Sequence, residues 1–239
     1  MGKQYKSKIK RRGILGTLLA GGASLPLYAN NLTSRDEYLD TDVKSNSLLW
    51  AVAWKETSAE YGALCHQAFN LARLKVDQEL NKKTKPEKPL AIITDMDNTI
   101  IHATSYWGHI INQNKEFFDD RIWDEWVPKN LIKGIPGSKR FFDYCYDNDV
   151  EVFYVTNRDQ GEKTFEYALS QLNYLDLPYA DKEHLTVYRE SSNKMPTKNQ
   201  INQSHKLILM LGDNLNDYKR DYYIKNVNQR YEVMERDKD

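Results

Sequence analysis

Leu90-Ala91-Ile92-Ile93-Thr94-Asp95-Met96-Asp97-Asn98-Thr99 is the stretch that decides the fold. A short apolar run, preceded by Pro86 and Pro89, ends abruptly in two carboxylates one residue apart. It is too short for a helix and reads as a buried parallel strand. In open α/β sheets the chemistry lies just beyond the carboxyl ends of the strands. Asp95 and Asp97 are therefore expected at the mouth of a site, on a loop held by a rigid strand. Two such carboxylates can divide the work, one staying ionised as nucleophile and cation ligand while the other trades a proton. The plainer alternative is a strand that ends in an Asp-rich turn.

Downstream, three more apolar runs have strand character: Val150–Val155, ending in Thr156-Asn157-Arg158; Leu185–Tyr188; and Lys206–Leu211, ending in Gly212-Asp213-Asn214-Leu215-Asn216-Asp217. Helical patterns fall between them, after Ile135-Pro136-Gly137 and around 163–172, while 189–198 reads as a polar loop containing Lys194. The tail from Tyr218 reads as helical and polar. Strands alternating with helices give an α/β class with a mostly parallel sheet. Between Thr99 and Gly134 the pattern is irregular and aromatic, with Tyr106, Trp107, Phe117, Phe118, Trp123 and Trp126. It reads as part of a small helical cap inserted after the first strand. Rings there either stack on a planar substrate group or pack the cap itself.

Upstream, apolar residues recur at three- and four-residue spacing from Ser47 to about Asn81, which predicts helix. A charged linker follows, from Lys82 to Lys88. Cap elements are expected from about 47–82 and 105–134. Residues 1–29 have the pattern of an export signal: six basic residues in the first twelve, a modest apolar stretch from Ile14 to Ala23, and a small residue, Ala29, at the expected cleavage point. Arg11-Arg12 resembles a twin-arginine signal, and a general secretory signal fits equally. The alternative is a cytoplasmic protein with a basic arm. Residues 30–239 then form the mature domain.

The chain has 239 residues, enough for one sizeable core or for one core plus a small cap, and 40% of them are hydrophobic. It holds 34 basic and 34 acidic residues, so past the six basic ones of the first segment the remainder is acidic. That argues against a nucleic-acid surface. Of the two cysteines, Cys65 lies in a helical pattern and reads as a small hydrophobe, and pairing with Cys145 stays open.

Strand ends and their adjoining loops thus carry Asp95 and Asp97, Thr156 and Asn157, Lys194, and Asp213 and Asp217. A parallel sheet brings such ends to one edge. Phosphoryl transfer needs a nucleophile, an acid for the leaving oxygen and positive charge on the equatorial oxygens. Asp95 can attack phosphorus, Asp97 can protonate the leaving group, and Thr156 and Lys194 can donate to the phosphate. Asp95 and Asp213, with a main-chain carbonyl, suit a hard cation such as Mg²⁺.

Asp95-x-Asp97-x-Thr99, Thr156, Lys194 and Gly212-Asp213-x3-Asp217 resemble the four motifs of the haloacid dehalogenase (HAD) superfamily. The likeness narrows to the bacterial class C, or DDDD, acid phosphatases, through Asp95–Ile101 with Tyr106, Ile208–Tyr218, Thr57–Tyr61, Trp123-x2-Trp126-Val127, Ile135-Pro136-Gly137 and Phe153–Arg158. It implies a Rossmann-like HAD core and an exported, Mg²⁺-dependent phosphomonoesterase. Asp95 would be the nucleophile and Asp97 the acid/base. The metal would be held by Asp95, the Asp97 carbonyl and Asp213, with Asp217 behind them. Trp123, and with it Tyr106, would stack on aromatic leaving groups, including nucleotide bases.

The chain departs from that family at Asn98, where a Glu is usual, and at Thr197, where an Arg is. The lipid-anchoring Cys of some members is absent, and 22 residues follow Asp217, fewer than in the family. The part of the pocket built by that region is expected to be short. The expected partner is a small phosphate monoester, with no nucleic-acid polymer, no stable membrane anchor, and a homodimer as one option. The expected location is periplasmic or secreted. A class B-like HAD phosphatase or phosphotransferase, and a non-catalytic surface or binding protein on the same fold, are the competing readings.

Overall fold

The computed structural model describes residues 46–238, so the expected export signal at 1–29 lies outside the described residues. Two helices come first, α1 (Leu48–Thr57) and α2 (Ala59–Leu80). The sequence pattern predicted a single helix here. Ser58 breaks it: its backbone is extended (φ −85°, ψ 123°) and its hydroxyl accepts from the Tyr61 amide at 3.1 Å, capping α2. Apolar spacing continues across the break, so periodicity alone does not reveal it. In α2 the inward face is Phe69, Ala72 and Val76, whereas Leu64, Leu71 and Leu74 are exposed.

Next comes β1 (Leu90–Thr94), buried at all five positions. A turn with Asn98 in the left-handed region (φ 57°) leads to β2 (Ile101–His102). Asn tolerates that conformation better than most residues. The cap follows, with α3 (Thr104–Asn112), α4 (Asp120–Trp126) and a 3-10 turn, Val127–Lys129. It closes at β3 (Lys133–Gly134), which pairs antiparallel with β2. The cap therefore leaves and re-enters the core through one two-stranded neck. α1 lies against α3, while α2 packs on the core rather than among the cap helices.

The core resumes with α5 (Ser138–Asp147), β4 (Val150–Asn157), α6 (Thr164–Tyr174), β5 (Leu185–Tyr188), α7 (Met195–Ser204) and β6 (Lys206–Leu211). Gly137 opens α5 at φ +90°, and a side chain there would meet His66 Nδ1 at 2.9 Å, so only glycine lets α5 sit this close to α2. α7 begins inside the stretch that reads as a polar loop, with Lys194 as its N-cap residue and Pro196 in its first turn. Its sequence is so polar that only Ile201 is buried, which hides it from a hydrophobic pattern. Two short helices end the described chain, α8 (Leu215–Tyr218) and α9 (Val227–Asp237).

The four main strands are parallel in the order β5-β4-β1-β6. The chain leaves β1 toward β4 and later returns to β6 on the other side. A crevice opens at the carboxyl end of β1 wherever connections diverge in this way. One face of the sheet (Ile92, Val152, Tyr154) packs under Phe69, Phe142, Ala168 and Leu172, from α2, α5 and α6. The other face (Ala91, Ile93, Val155) is covered by Ile201 of α7. Cys65 and Cys145 are both free thiols, and burial pushes Cys145 up to about 12.

Candidate active site

The ends of β1 and β6 are tied by the Asp95 amide donating to the Leu211 carbonyl at 2.9 Å. That bond sets Asp95 beside Gly212 and Asp213. Carboxylate oxygens of Asp95, Asp213 and Asp217 lie within 4.8 Å of one another. Lys194 reaches in from the start of α7, bonded to Asp95 and lying 2.8 Å from Asp217. Asp95 and Lys194 are 7% and 9% exposed. Thr99 Oγ1 lies 3.4 Å from the second Asp95 oxygen. Thr156 is buried at the end of β4, and Asn157 beside it is exposed. Topology thus brings Asp95, Thr156, Lys194, Asp213 and Asp217 to one edge of the sheet.

Asp97 is held apart from the carboxylate cluster. Arg158 Nε and Nη2 donate to its two oxygens at 2.7 and 2.6 Å. Its carboxyl group thus pairs with the guanidinium and not with the cluster, which leaves its main-chain carbonyl as the part available to a cation there. The remaining three carboxylates share one lysine, an excess of negative charge in a partly buried hollow. Burial is the main force pushing Asp95 up to about 7, with Asp217 and Asp97 adding and Lys194 opposing. Burial also works against the charge of Lys194, but Asp95 and Asp217 outweigh it and hold its pKa above the ordinary lysine value. An all-oxygen donor set with surplus negative charge fits a hard divalent cation.

The rings expected to stack on substrate, Tyr106 and Trp123, are both buried. Tyr106 is fully buried, and its hydroxyl both accepts from the Asp119 amide at 2.9 Å and donates to the Asp119 carbonyl at 3.1 Å. Trp123, 8% exposed, lies on Trp126 (centroids 4.9 Å, 25°) and edge-on to Tyr106 (4.9 Å, 89°). Both rings thus pack among the other aromatic residues of the cap core. Trp123→Ala should accordingly lower activity on all substrates alike and cost about 3–5 kcal/mol of stability. A thermal melt beside kinetics on an aryl and an aliphatic phosphate checks this.

An apolar hollow of about 290 Å³ does border the site. It is lined by Trp54, Tyr61, Leu64 and Phe69 and reaches Thr99 and Asp213. Sequence reasoning missed it because α1 and α2 read only as helical packing. Arg158 was also given no role; the signal available was a basic residue two positions beyond Thr156 at a strand end.

Comparison with known proteins follows the same lines. A family model described as HAD superfamily, subfamily IIIB (Acid phosphatase) matches residues 30–233. Among solved structures, the class C acid phosphatase from Bacillus anthracis with tungstate bound is 28% identical, with a TM-score of 0.73 over 81% of this chain and 79% of that one. A second structure of the class C acid phosphatase from Bacillus anthracis is 29% identical at the same TM-score of 0.73 and the same coverage. With the family shown, the reading as a non-catalytic binding protein falls away. The crevice at the end of β1, with its five converging side chains, is that of a phosphatase, and the chain belongs to the acid phosphatases of HAD subfamily IIIB.

Proposed function

We propose that this acid phosphatase is exported and metal-dependent, and that it hydrolyses phosphate monoesters through an aspartyl-phosphate on Asp95. The observation that carries this reading is the division of the two carboxylates. Asp95 lies among Lys194, Asp213 and Asp217, and Asp97, two residues on, is held separately by Arg158. An Asp95 oxygen attacks phosphorus as the ester P–O bond breaks, and Asp97 gives its proton to the departing oxygen. Asp97 then takes a proton from water as that water attacks phosphorus and frees Asp95. Lys194, Thr156 and the amide of Asn157 donate to the phosphoryl oxygens. Asp95, Asp213, Asp217 and the Asp97 carbonyl would hold Mg²⁺. The ion supplies positive charge that lets an anionic nucleophile meet an anionic ester.

For substrates we propose aryl phosphates and 5′-nucleotides. The support is the hollow beside Asp213, where Trp54 meets Tyr61 edge-on at 5.2 Å. Removing Trp54 takes away an aromatic contact worth up to about 1.5 kcal/mol. Trp54→Ala should raise KM for these substrates by up to about tenfold and leave glycerol phosphate nearly unchanged; equal effects on both reject the assignment.

Export rests on the basic and apolar pattern of residues 1–29, and the family match begins at residue 30. Among the described residues no helix is long and apolar enough to cross a membrane. A periplasmic or secreted location predicts a mature N-terminus near Asn30, and N-terminal sequencing of that fraction tests it. Hydrolysis of an aryl phosphate, lost in chelator and restored by Mg²⁺, tests the activity. Turnover that survives exhaustive chelation overturns the metal.

A further inference from the structure

We propose that Arg158 is the positioning residue for the acid/base carboxylate, and that the cap backbone helps to fix it. This rests on Asp97 being the acid/base. Arg158 lies just past β4, and its side chain is wholly buried. Its own amide donates to the Tyr188 carbonyl at 2.9 Å, which anchors its backbone to β5. Nε and Nη2 grip the two Asp97 oxygens, and Nη1 donates to Gln171 Oε1 at 2.8 Å. Gln171 is itself fully buried in α6, and its Nε2 donates to the Val127 carbonyl at 3.1 Å. Val127 belongs to the 3-10 turn of the cap. The guanidinium lies 5.9 Å from the centre of the Trp123 ring. An unbroken buried chain thus runs from the cap, through Gln171 and Arg158, to Asp97.

Stability is a weak account of this arrangement. A buried ion pair often contributes no more than apolar residues of the same volume, because both charges lose their water. What a two-bond fork does provide is direction. It fixes the plane of the carboxylate, which a lysine's point charge cannot do. Asp97 remains 21% exposed while Arg158 has no exposure at all. The acid therefore meets the site from a support that solvent does not reach. Misplacing a reacting group by about 1 Å can cost on the order of 10²-fold in rate. The link to Val127 makes the position of the acid depend on the seating of the cap.

The test uses kcat/KM, which reads the phosphorylation half-reaction alone, on nitrophenyl phosphate and glycerol phosphate. The first leaving group departs without a proton and the second needs one. Arg158→Gln should lose about 10²-fold on glycerol phosphate and far less on nitrophenyl phosphate, and Arg158→Lys should recover only part of the loss. In an Asp97→Asn background, Arg158→Gln should cost nothing further, because both changes remove the same function. Equal losses on the two substrates, or a full additional loss in the double variant, overturn the proposal. If Arg158→Gln does not fold, Gln171→Met keeps the Asp97 fork and removes one support. It should give a smaller loss with the same substrate dependence, and a uniform loss rejects the chain. Near-normal turnover of glycerol phosphate by Asp97→Asn alone would reject the acid/base reading itself, separately from the role of Arg158.

Discussion

Asp95→Asn is expected to abolish phosphate release and, in the metal-free protein, to raise the melting temperature above pH 7. The first effect follows because an amide is no nucleophile and so forms no aspartyl-phosphate. The second follows from burial. In the fold the Asp95 carboxyl is pushed from 3.8 up to about 7, and the cause named first is loss of water around it. In the unfolded chain it ionises near its ordinary value. Below about pH 4 both states carry the proton and nothing is lost. As pH rises toward 7 the unfolded chain sheds that proton while the fold keeps it, so the metal-free protein loses stability through that window. Each pH unit of the window is worth about 1.4 kcal/mol at most. Asn has no proton to lose and escapes the penalty, and Lys194 keeps Asp217 as a partner at 2.8 Å. A gain of a few °C at pH 8, vanishing near pH 4, is the expected pattern, since about 1 kcal/mol moves Tm by roughly 2–4 °C at this size. Melts in chelator at both pH values measure it. A lower Tm at pH 8 would mean that the pair with Lys194 outweighs the burial of the carboxyl.

The central strand was legible because burial on both faces leaves only apolar choices. Leu90–Thr94 reads as a strand without any alternation, and the carboxylates that end it mark the site edge. The strand carrying Thr156 was legible for nearly the same reason, and β6, a half-buried edge strand, was legible because its apolar run from Leu207 to Leu211 is unbroken up to Gly212 and Asp213. The break at Ser58 was not, because a capping serine interrupts the backbone without interrupting apolar spacing. The start of α7 was hidden by a helix whose one buried residue is Ile201. The orientation of Trp123 could not be read at all. A tryptophan beside a site serves ligand or core according to what packs against it, and Trp126 and Tyr106 pack against this one. Arg158 was on the page as a letter in a strand-end motif. Its use emerged only once Asp97, 61 residues away in sequence, was seen between its donors. Local pattern fixes which elements exist, whereas the pairing of side chains from different elements needs the fold.

Gly212→Ala is expected to weaken the cation site severely without altering a single ligand. A Cβ at this position would lie 2.6 Å from Asp217 Cβ and 2.6 Å from its Oδ2. Those are far inside contact distance, so Asp217 must move. It is held where it is by Lys194 at 2.8 Å and by the Asn214 amide, which donates to Oδ2 at 3.2 Å. Displacing it breaks these contacts and opens the group of oxygens formed with Asp95 and Asp213. Asp213→Ala removes a carboxylate outright and sets the scale for comparison. Each should shift the Mg²⁺ concentration for half-maximal activity upward by at least about tenfold, a decade being about 1.4 kcal/mol. Because the clash reaches Asp217 Cβ and breaks its contacts with Lys194 and Asn214, Gly212→Ala should also lower thermal stability in chelator, whereas Asp213→Ala, which shortens an exposed side chain, should stay close to the parent. High Mg²⁺ should restore part of the rate in Gly212→Ala, where all the carboxylates remain, and less in Asp213→Ala. A Mg²⁺ titration of activity, run beside melts in chelator, separates loss of the site from loss of the fold. An unchanged Mg²⁺ requirement in Gly212→Ala would remove Asp217 from the cation site and leave it only the task of holding Lys194.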